Sequence, residues 1–193
     1  MIKNVVLDAG GGGIDVSLIN TLSRDSEEFE SYINRVITRY LENSLKNTNL
    51  ESYKTIHHDV KVNPTLKSRL QNIEKYNSKE TLVLSVHSNK NIDIFEDFEI
   101  YHNNKASRIA ESITDELIPY FFKNNISYSK YHKTDSKNKE HLFIKKLECP
   151  AIYLGFLPYN DDTISQYFSK PDIIKTISDK IVEGILHYNK LYK

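Results

Sequence analysis

The fold is decided by the stretch Thr81-Leu82-Val83-Leu84-Ser85-Val86-His87-Ser88-Asn89. Its first six residues form a short, mostly apolar run, which is typical of a buried β-strand. The polar residues from His87 onward indicate where that strand ends. The elements on either side of this strand determine which kind of sheet it belongs to.

Strands and helices alternate along the chain on both sides of this stretch. Further strands are predicted at residues 5–7, 98–101 and 151–154, and apolar residues at helical spacing predict helices through residues 29–45, 66–73, 109–117 and 173–186. The third helix is expected to stop near Pro119, and the polar segment from Ser127 to Glu140 to be a mobile loop. The alternation predicts an α/β fold, a three-layer sandwich whose mostly parallel central sheet has helices on both faces.

Composition indicates a single domain and argues against nucleic-acid binding. The 193 residues are expected to form a single domain, residues 1–193. Lys+Arg 26 balance Asp+Glu 26, so the basic excess common in nucleic-acid-binding proteins is missing. The one cysteine, Cys149, excludes an intramolecular disulfide and a CxxC metal site. No apolar run approaches the roughly 18 residues that a membrane span needs.

Ligands of open α/β sheets collect at the carboxyl ends of the strands, and three such ends carry signals here. The first is the glycine loop Gly10–Gly13, which could cradle a phosphate through its backbone N–H groups or serve as a simple strand-to-helix turn. Residues 8–19 resemble the phosphate loop of actin-like and Hsp70-like ATPases, but the chain is too short for the two lobes of those enzymes. The other ends are His87-Ser88-Asn89 and Gly155-Phe156.

A histidine after a strand is more often structural than metal-binding, and His87 gains interest only together with Glu30. Glu30 lies near the start of the first predicted helix, from which its carboxylate could reach the same strand ends. A His and a Glu are two of the three protein ligands of a catalytic zinc site. The adjacent His57 and His58 are interpreted as part of a solvated loop.

Several motifs follow one another in a recognisable order. Glu30 precedes Asn34 by four residues, and residues 85–89 match the pattern S-[IV]-H-x-N. Residues 8–13 match the pattern D-x-G-H-G-G except at the position of its histidine. Residues 150–156 are similar to P-A-V-L-V-E-x-G-F but are two residues shorter. Two further patterns are matched: T…D…L-x-x-R…N by Thr55, Asp59, Leu66, Arg69 and Asn77, and S-x-x-[LI]-A-x-x-I by Ser107, Ile109, Ala110 and Ile113. In this order, the whole chain resembles the zinc-dependent N-acetylmuramoyl-L-alanine amidases of sporulation, cell separation and phage lysis.

The resemblance also implies an incomplete site. The family's first zinc ligand, a histidine, falls on Gly11, and its catalytic glutamate, two residues before the terminal Gly-Phe, falls on Tyr153 or is lost in the deletion. The resemblance therefore implies the metal ligands Glu30 and His87 alone, Asn89 as a substrate-binding residue, and no catalytic residue. Two ligands would hold zinc weakly, if at all, and loss of the acid/base alone should reduce the rate on the order of 10²–10⁴-fold.

The leading hypothesis is an amidase-fold protein that is catalytically impaired and binds a peptidoglycan fragment or a protein partner. The alternatives are an active zinc amidase with an altered metal site, and nucleotide or phosphate binding at the Gly10–Gly13 loop. The N-terminal residues lack the features of a secretory signal. Localisation is therefore left open: the protein could be cytoplasmic, released by lysis or trimmed from a longer chain.

Overall fold

The computed structural model describes residues 1–10, 27–56, 65–89, 98–133, 139–158 and 171–192. Six strands and five helices lie in these ranges. The strands are β1 (Asn4–Ala9), β2 (Glu51–Lys54), β3 (Thr81–Asn89), β4 (Phe98–His102), β5 (Tyr128–Lys133) and β6 (Ala151–Pro158). The helices are α1 (Glu27–Leu45), α2 (Leu66–Glu74), α3 (Ser107–Asn124), α4 (Lys139–Lys146) and α5 (Pro171–Leu191).

The six strands form one sheet in the order β2-β1-β3-β6-β4-β5. Neighbouring strands are parallel except for β4 and β6, which run antiparallel. Because β4 runs the opposite way, its first residues lie at the same edge of the sheet as the last residues of β1, β3 and β6. We call that shared edge the carboxyl edge.

Helices cover both faces of the sheet, which confirms the predicted three-layer sandwich. One face packs against α1, α3 and α5 through side chains that include Leu7, Leu84 and Leu154. The other face, which we call the α2/α4 face, packs against α2 and α4 through side chains that include Val6 and Val83. Successive side chains of a strand point to opposite faces, so each central strand contributes to both cores.

Two sequence predictions about the second half of the chain are wrong. Helix α3 does not stop near Pro119 but continues to Asn124, because Pro119 lies on the exposed side of the helix while Phe121 continues the buried stripe. The segment predicted as a mobile loop from Ser127 to Glu140 contains strand β5 and the start of α4. Strand β5 is held by parallel pairing with β4, a long-range contact that its polar composition does not indicate.

None of the helices in the described ranges is both long enough and apolar enough to cross a lipid bilayer.

Candidate functional site at the carboxyl edge of the sheet

Polar side chains of neighbouring strands meet on the α2/α4 face near the carboxyl edge. Asp8 on β1 lies opposite Ser85 on β3, and Ser85 lies opposite Tyr153 on β6. Closer to the carboxyl edge, His87 on β3 lies opposite Gly155 on β6. Asp8, Ser85, His87 and Tyr153 are all less than 5% exposed. The site is therefore formed by residues that the parallel register aligns across three strands.

Asp8 is the fully buried centre of a hydrogen-bond cluster. The Arg69 guanidinium donates to it twice, Nε to Oδ1 at 2.9 Å and Nη2 to Oδ2 at 2.5 Å. Thr55 Oγ1 donates to Oδ1 at 2.5 Å and Ser85 Oγ to Oδ2 at 2.9 Å. Burial by itself would raise the pKa of the Asp8 carboxyl, but the Arg69 charge and the hydrogen bonds from Arg69 and Thr55 hold that pKa below its ordinary value. Asp8 is therefore a buried carboxylate whose charge is compensated within the protein.

Ser85 connects this cluster to the imidazole of His87. Ser85 Oγ lies 3.0 Å from His87 Nε2. A serine hydroxyl carries one hydrogen, and Ser85 donates it to Asp8, so its oxygen must accept a hydrogen from His87 Nε2. In the neutral ring, Nδ1 is then the nitrogen that carries the lone pair and can accept. The chain Asp8–Ser85–His87 thus fixes both the tautomer and the orientation of this ring.

The His87 ring is also enclosed by its neighbours. It stacks on the Tyr153 ring with centroids 4.6 Å apart and an interplanar angle of 14°. On its other side lies Gly10, where an added Cβ would be 2.1 Å from Cε1 and 2.2 Å from Nδ1 of His87. A residue with a side chain at position 10 would collide with the ring, so this glycine is needed for the ring to lie where it does.

Helix α1 reaches the same edge from the opposite face of the sheet. Ser88 Oγ lies 3.5 Å from the carbonyl oxygen of Glu30, and Asn34 Nδ2 donates to the carbonyl oxygen of Gly10 at 3.0 Å. The structure therefore brings the backbone of Glu30 to the end of β3, next to His87. The His87 ring itself turns toward the α2/α4 face. Joint metal binding by Glu30 and His87 stays a prediction.

Some predicted site residues lie at the limits of the described structure. Gly11, His57 and His58 lie outside the described residues, as does the rest of the Gly11–Gly13 loop on which the nucleotide hypothesis depends. The backbone of Asn89 ends β3 opposite Pro158. Its proposed role in substrate binding stays a prediction.

The side chains near His87 do not provide what a zinc site requires among the described residues. A catalytic zinc site uses three protein ligands and keeps a further position for water. Among the residues that the structure describes, no three His, Cys, Asp or Glu side chains are grouped so that they could hold a metal ion. Gly11 has no side chain to contribute. The described residues do not fit the zinc site that the resemblance implies.

Sequence reasoning missed one acidic residue at this edge, Glu99. It is the second residue of β4, is 4% exposed and lies directly opposite Gly155. The sequence signal that could have identified Glu99 is a charged residue between Phe98 and Ile100. Both of these neighbours are buried in the core on the side of α1, α3 and α5. Alternation of this kind usually indicates a solvent-facing position, whereas here the second face of the sheet is covered as well.

Comparisons with known proteins agree with this architecture. Residues 5–187 match the family described as N-acetylmuramoyl-L-alanine amidase. Similar solved structures include the amidase AmiC2 of Nostoc punctiforme, at 16% identity and a TM-score of 0.72 over 97% of each chain. The catalytic domain of the amidase CwlV from Bacillus (Paenibacillus) polymyxa var. colistinus has 21% identity and a TM-score of 0.70, over 98% of this chain and 99% of that chain. The CwlD amidase from Clostridioides difficile, in complex with the GerS lipoprotein, has 18% identity and a TM-score of 0.70 with the same coverage. No curated protein sequence matches the chain.

Proposed function

The chain belongs to the N-acetylmuramoyl-L-alanine amidase family, and on that premise we propose that residues 1–193 form one domain that binds muropeptides at the carboxyl edge and hydrolyses them little or not at all. Muropeptides are the sugar–peptide fragments of peptidoglycan. The family relationship supports this ligand class. The loss of hydrolysis is supported by the lack, among the described residues, of three side chains grouped to hold a metal ion.

One observation carries the proposal: neighbouring residues hold the His87 ring in a fixed position, although the part of the chain that the structure describes does not complete a set of metal ligands around it. Asp8 and Ser85 fix the ring from one side, and Tyr153 and Gly10 enclose it. Burying the Asp8–Arg69 ion pair requires considerable desolvation of both charges. This cluster requires a large desolvation free energy, and it lies where it orients the His87 imidazole. We therefore infer that the imidazole contacts a ligand.

Binding and metal content of the purified protein test the proposal. Isothermal titration with a muramyl dipeptide, without added metal, is expected to give a measurable Kd. Atomic absorption is expected to find much less than one zinc per chain, and chromatography no released stem peptide. Stoichiometric zinc together with peptide release would establish the active-amidase alternative instead. A protein that does not bind the muramyl dipeptide at all would refute the proposed ligand class.

A matched pair of histidine variants locates the site. His87→Ala is expected to weaken muramyl dipeptide binding, because it removes the ring that the cluster holds in place. His187→Ala makes the same change on α5, where the side chain is 48% exposed and contacts Glu116 at 3.2 Å. Equal effects of the two changes on Kd would place the ligand elsewhere. Circular dichroism of both variants separates loss of binding from loss of folding.

A protein partner is the second candidate, because the similar CwlD structure is a complex with the GerS lipoprotein. Competition distinguishes the two candidates: a partner that uses the carboxyl edge should be displaced by excess muramyl dipeptide, whereas a partner bound elsewhere should not.

A further inference from the structure

We propose that Asn34 on α1 is a positioning residue for His87: its side-chain amide holds the carbonyl group of Gly10, and Gly10 in turn limits where the imidazole can lie. Asn34 thus acts through Gly10 rather than on the ring directly. The placement of the ring follows from contacts within the chain, whereas its consequence for ligand binding rests on the proposed muropeptide-binding function.

Gly10 is held by a hydrogen bond at each of its two backbone groups. Its N–H donates to the carbonyl oxygen of Val86 at 2.7 Å, and its own carbonyl oxygen accepts from Asn34 Nδ2 at 3.0 Å. The pairing of β1 with β3 ends at Ala9 and Val86, so Gly10 is the first residue beyond it. Gly10 is buried, and a buried carbonyl group needs a hydrogen-bond partner. Asn34 supplies that partner from the helix that covers the face of the sheet opposite the His87 ring.

The backbone of Gly10 lies directly against the His87 ring. A Cβ added to Gly10 would be 2.1 Å from Cε1, 2.2 Å from Nδ1 and 2.7 Å from Nε2 of the imidazole. In glycine a hydrogen occupies that direction, so one Hα of Gly10 points at the ring. Tyr153 stacks on the same ring. Even a small shift of Gly10 therefore changes the space in which the imidazole can lie.

The burial of Asn34 favours a specific role for its amide group. Asn34 is fully buried, and its Oδ1 has no hydrogen-bond partner among the residues that the structure describes. A buried acceptor without a partner destabilises the folded state. Leucine has nearly the same shape and would avoid that loss, and the nearby Ile33 and Ile37 of α1 are core residues. What asparagine adds to this position is therefore the donor to Gly10.

A second buried asparagine makes the same kind of contact at the other end of β1. Asn189 on α5 donates from Nδ2 to the carbonyl oxygen of Ile2 at 2.7 Å, and its Oδ1 accepts from the N–H of Ile2 at 2.6 Å. Ile2 precedes β1, whereas Gly10 follows it. Asn189 thus provides a matched control, because its replacement loosens β1 without touching the end that contacts His87.

NMR of the wild-type protein tests the geometry itself. We expect nuclear Overhauser effects from a side-chain amide proton of Asn34 to Gly10 Hα, and from Gly10 Hα to His87 Hε1, because Cε1 is the ring atom nearest to the added Cβ. The His87 signal is identified by its loss in His87→Ala. Absence of either effect would overturn the inference.

A pair of leucine variants tests whether Asn34 causes the placement of the ring. Asn34→Leu removes the donor and keeps the size of the side chain, so the Overhauser effect between Gly10 and His87 should weaken and the Hε1 signal should shift. Asn189→Leu should leave both unchanged, even if it lowers the urea midpoint. If circular dichroism shows that Asn34→Leu does not fold, Asn34→Ala makes the same test. An unmoved His87 signal in the folded variant, or equal changes in the control, would overturn the inference.

Isothermal titration with muramyl dipeptide measures the consequence for binding. The Kd of Asn34→Leu should rise about two- to tenfold, because the free energy of immobilising the ring then opposes the binding step. Asn189→Leu should bind as tightly as the wild type. A displaced ring with an unchanged Kd would overturn the positioning role and leave the proposed function standing. No binding by the wild type would refute the proposed function, and the NMR comparison would still decide the placement of the ring.

Discussion

Replacing Asp8 by asparagine should destabilise the protein strongly, because it leaves the Arg69 guanidinium buried without its counter-charge. The Arg69 side chain is 4% exposed and that of Asp8 is fully buried. Asparagine keeps the size of aspartate and one acceptor oxygen, but it cannot accept both guanidinium bonds and the two hydroxyl bonds. Removing one partner of a buried pair typically costs about 3–5 kcal/mol. That loss is a large share of the about 5–15 kcal/mol by which domains are usually stable.

Urea unfolding followed by circular dichroism measures this loss. The control is Asp179→Asn, at an ion pair with Lys175 in which the side chains are 36% and 62% exposed; it should cost less than about 1 kcal/mol. The double variant Asp8→Asn/Arg69→Met should be less destabilised than the sum of its single variants, because no unpaired charge remains. A loss below about 1 kcal/mol for Asp8→Asn would refute the assignment of the cluster as a buried, compensated ion pair.

The same cluster predicts how stability depends on pH. The pKa of Asp8 is lowered in the folded protein, chiefly because the Arg69 charge and hydrogen bonds outweigh the effect of burial. Its contribution is therefore complete above the unfolded pKa of about 3.9 and is lost as the pH falls through the folded pKa. Between about pH 5 and pH 2, the unfolding midpoint of the wild type should fall more steeply than that of Asp8→Asn. Parallel curves would contradict a lowered pKa.

Two further substitutions and one labelling experiment test the packing of the fold. Gly184→Ala should lower the free energy of unfolding by about 1–3 kcal/mol, because the added Cβ would lie 2.5 Å from the Cα of Ile113, where α3 and α5 meet. An unchanged midpoint of urea unfolding would contradict this close approach. Asn103→Ala should lower the free energy of unfolding by at least about 2 kcal/mol, because the side-chain amide donates to three buried carbonyl oxygens between α4 and β6. A smaller loss would mean that water takes the place of the amide group. Cys149, whose pKa is raised by burial to about 11, should react with a thiol reagent only as the protein unfolds, and rapid labelling of the folded protein would contradict its burial.

The sequence alone determined the central strand, the long helices, the layered fold and the family. These features depend on apolar periodicity, which is a local property, and on short motifs at strand ends. Residues 81–86 are apolar enough to predict a buried strand without knowledge of their neighbours, and β3 confirms it. The order of motifs along the chain indicated the amidase family, and the match over residues 5–187 confirms it.

The tertiary structure alone decided which side chains meet. Thr55 and Arg69 are 47 and 61 residues from Asp8 along the chain, yet both contact it. The continuation of α3 past Pro119 depends on the packing of Phe121, and β5 depends on its pairing with β4. Glu99 and Gly155 are more than 50 residues apart in the chain, and only the register of the antiparallel strands β4 and β6 places them opposite each other. Register and face coverage are set by contacts between distant segments, and a local reading of charge and hydropathy contains no information about them.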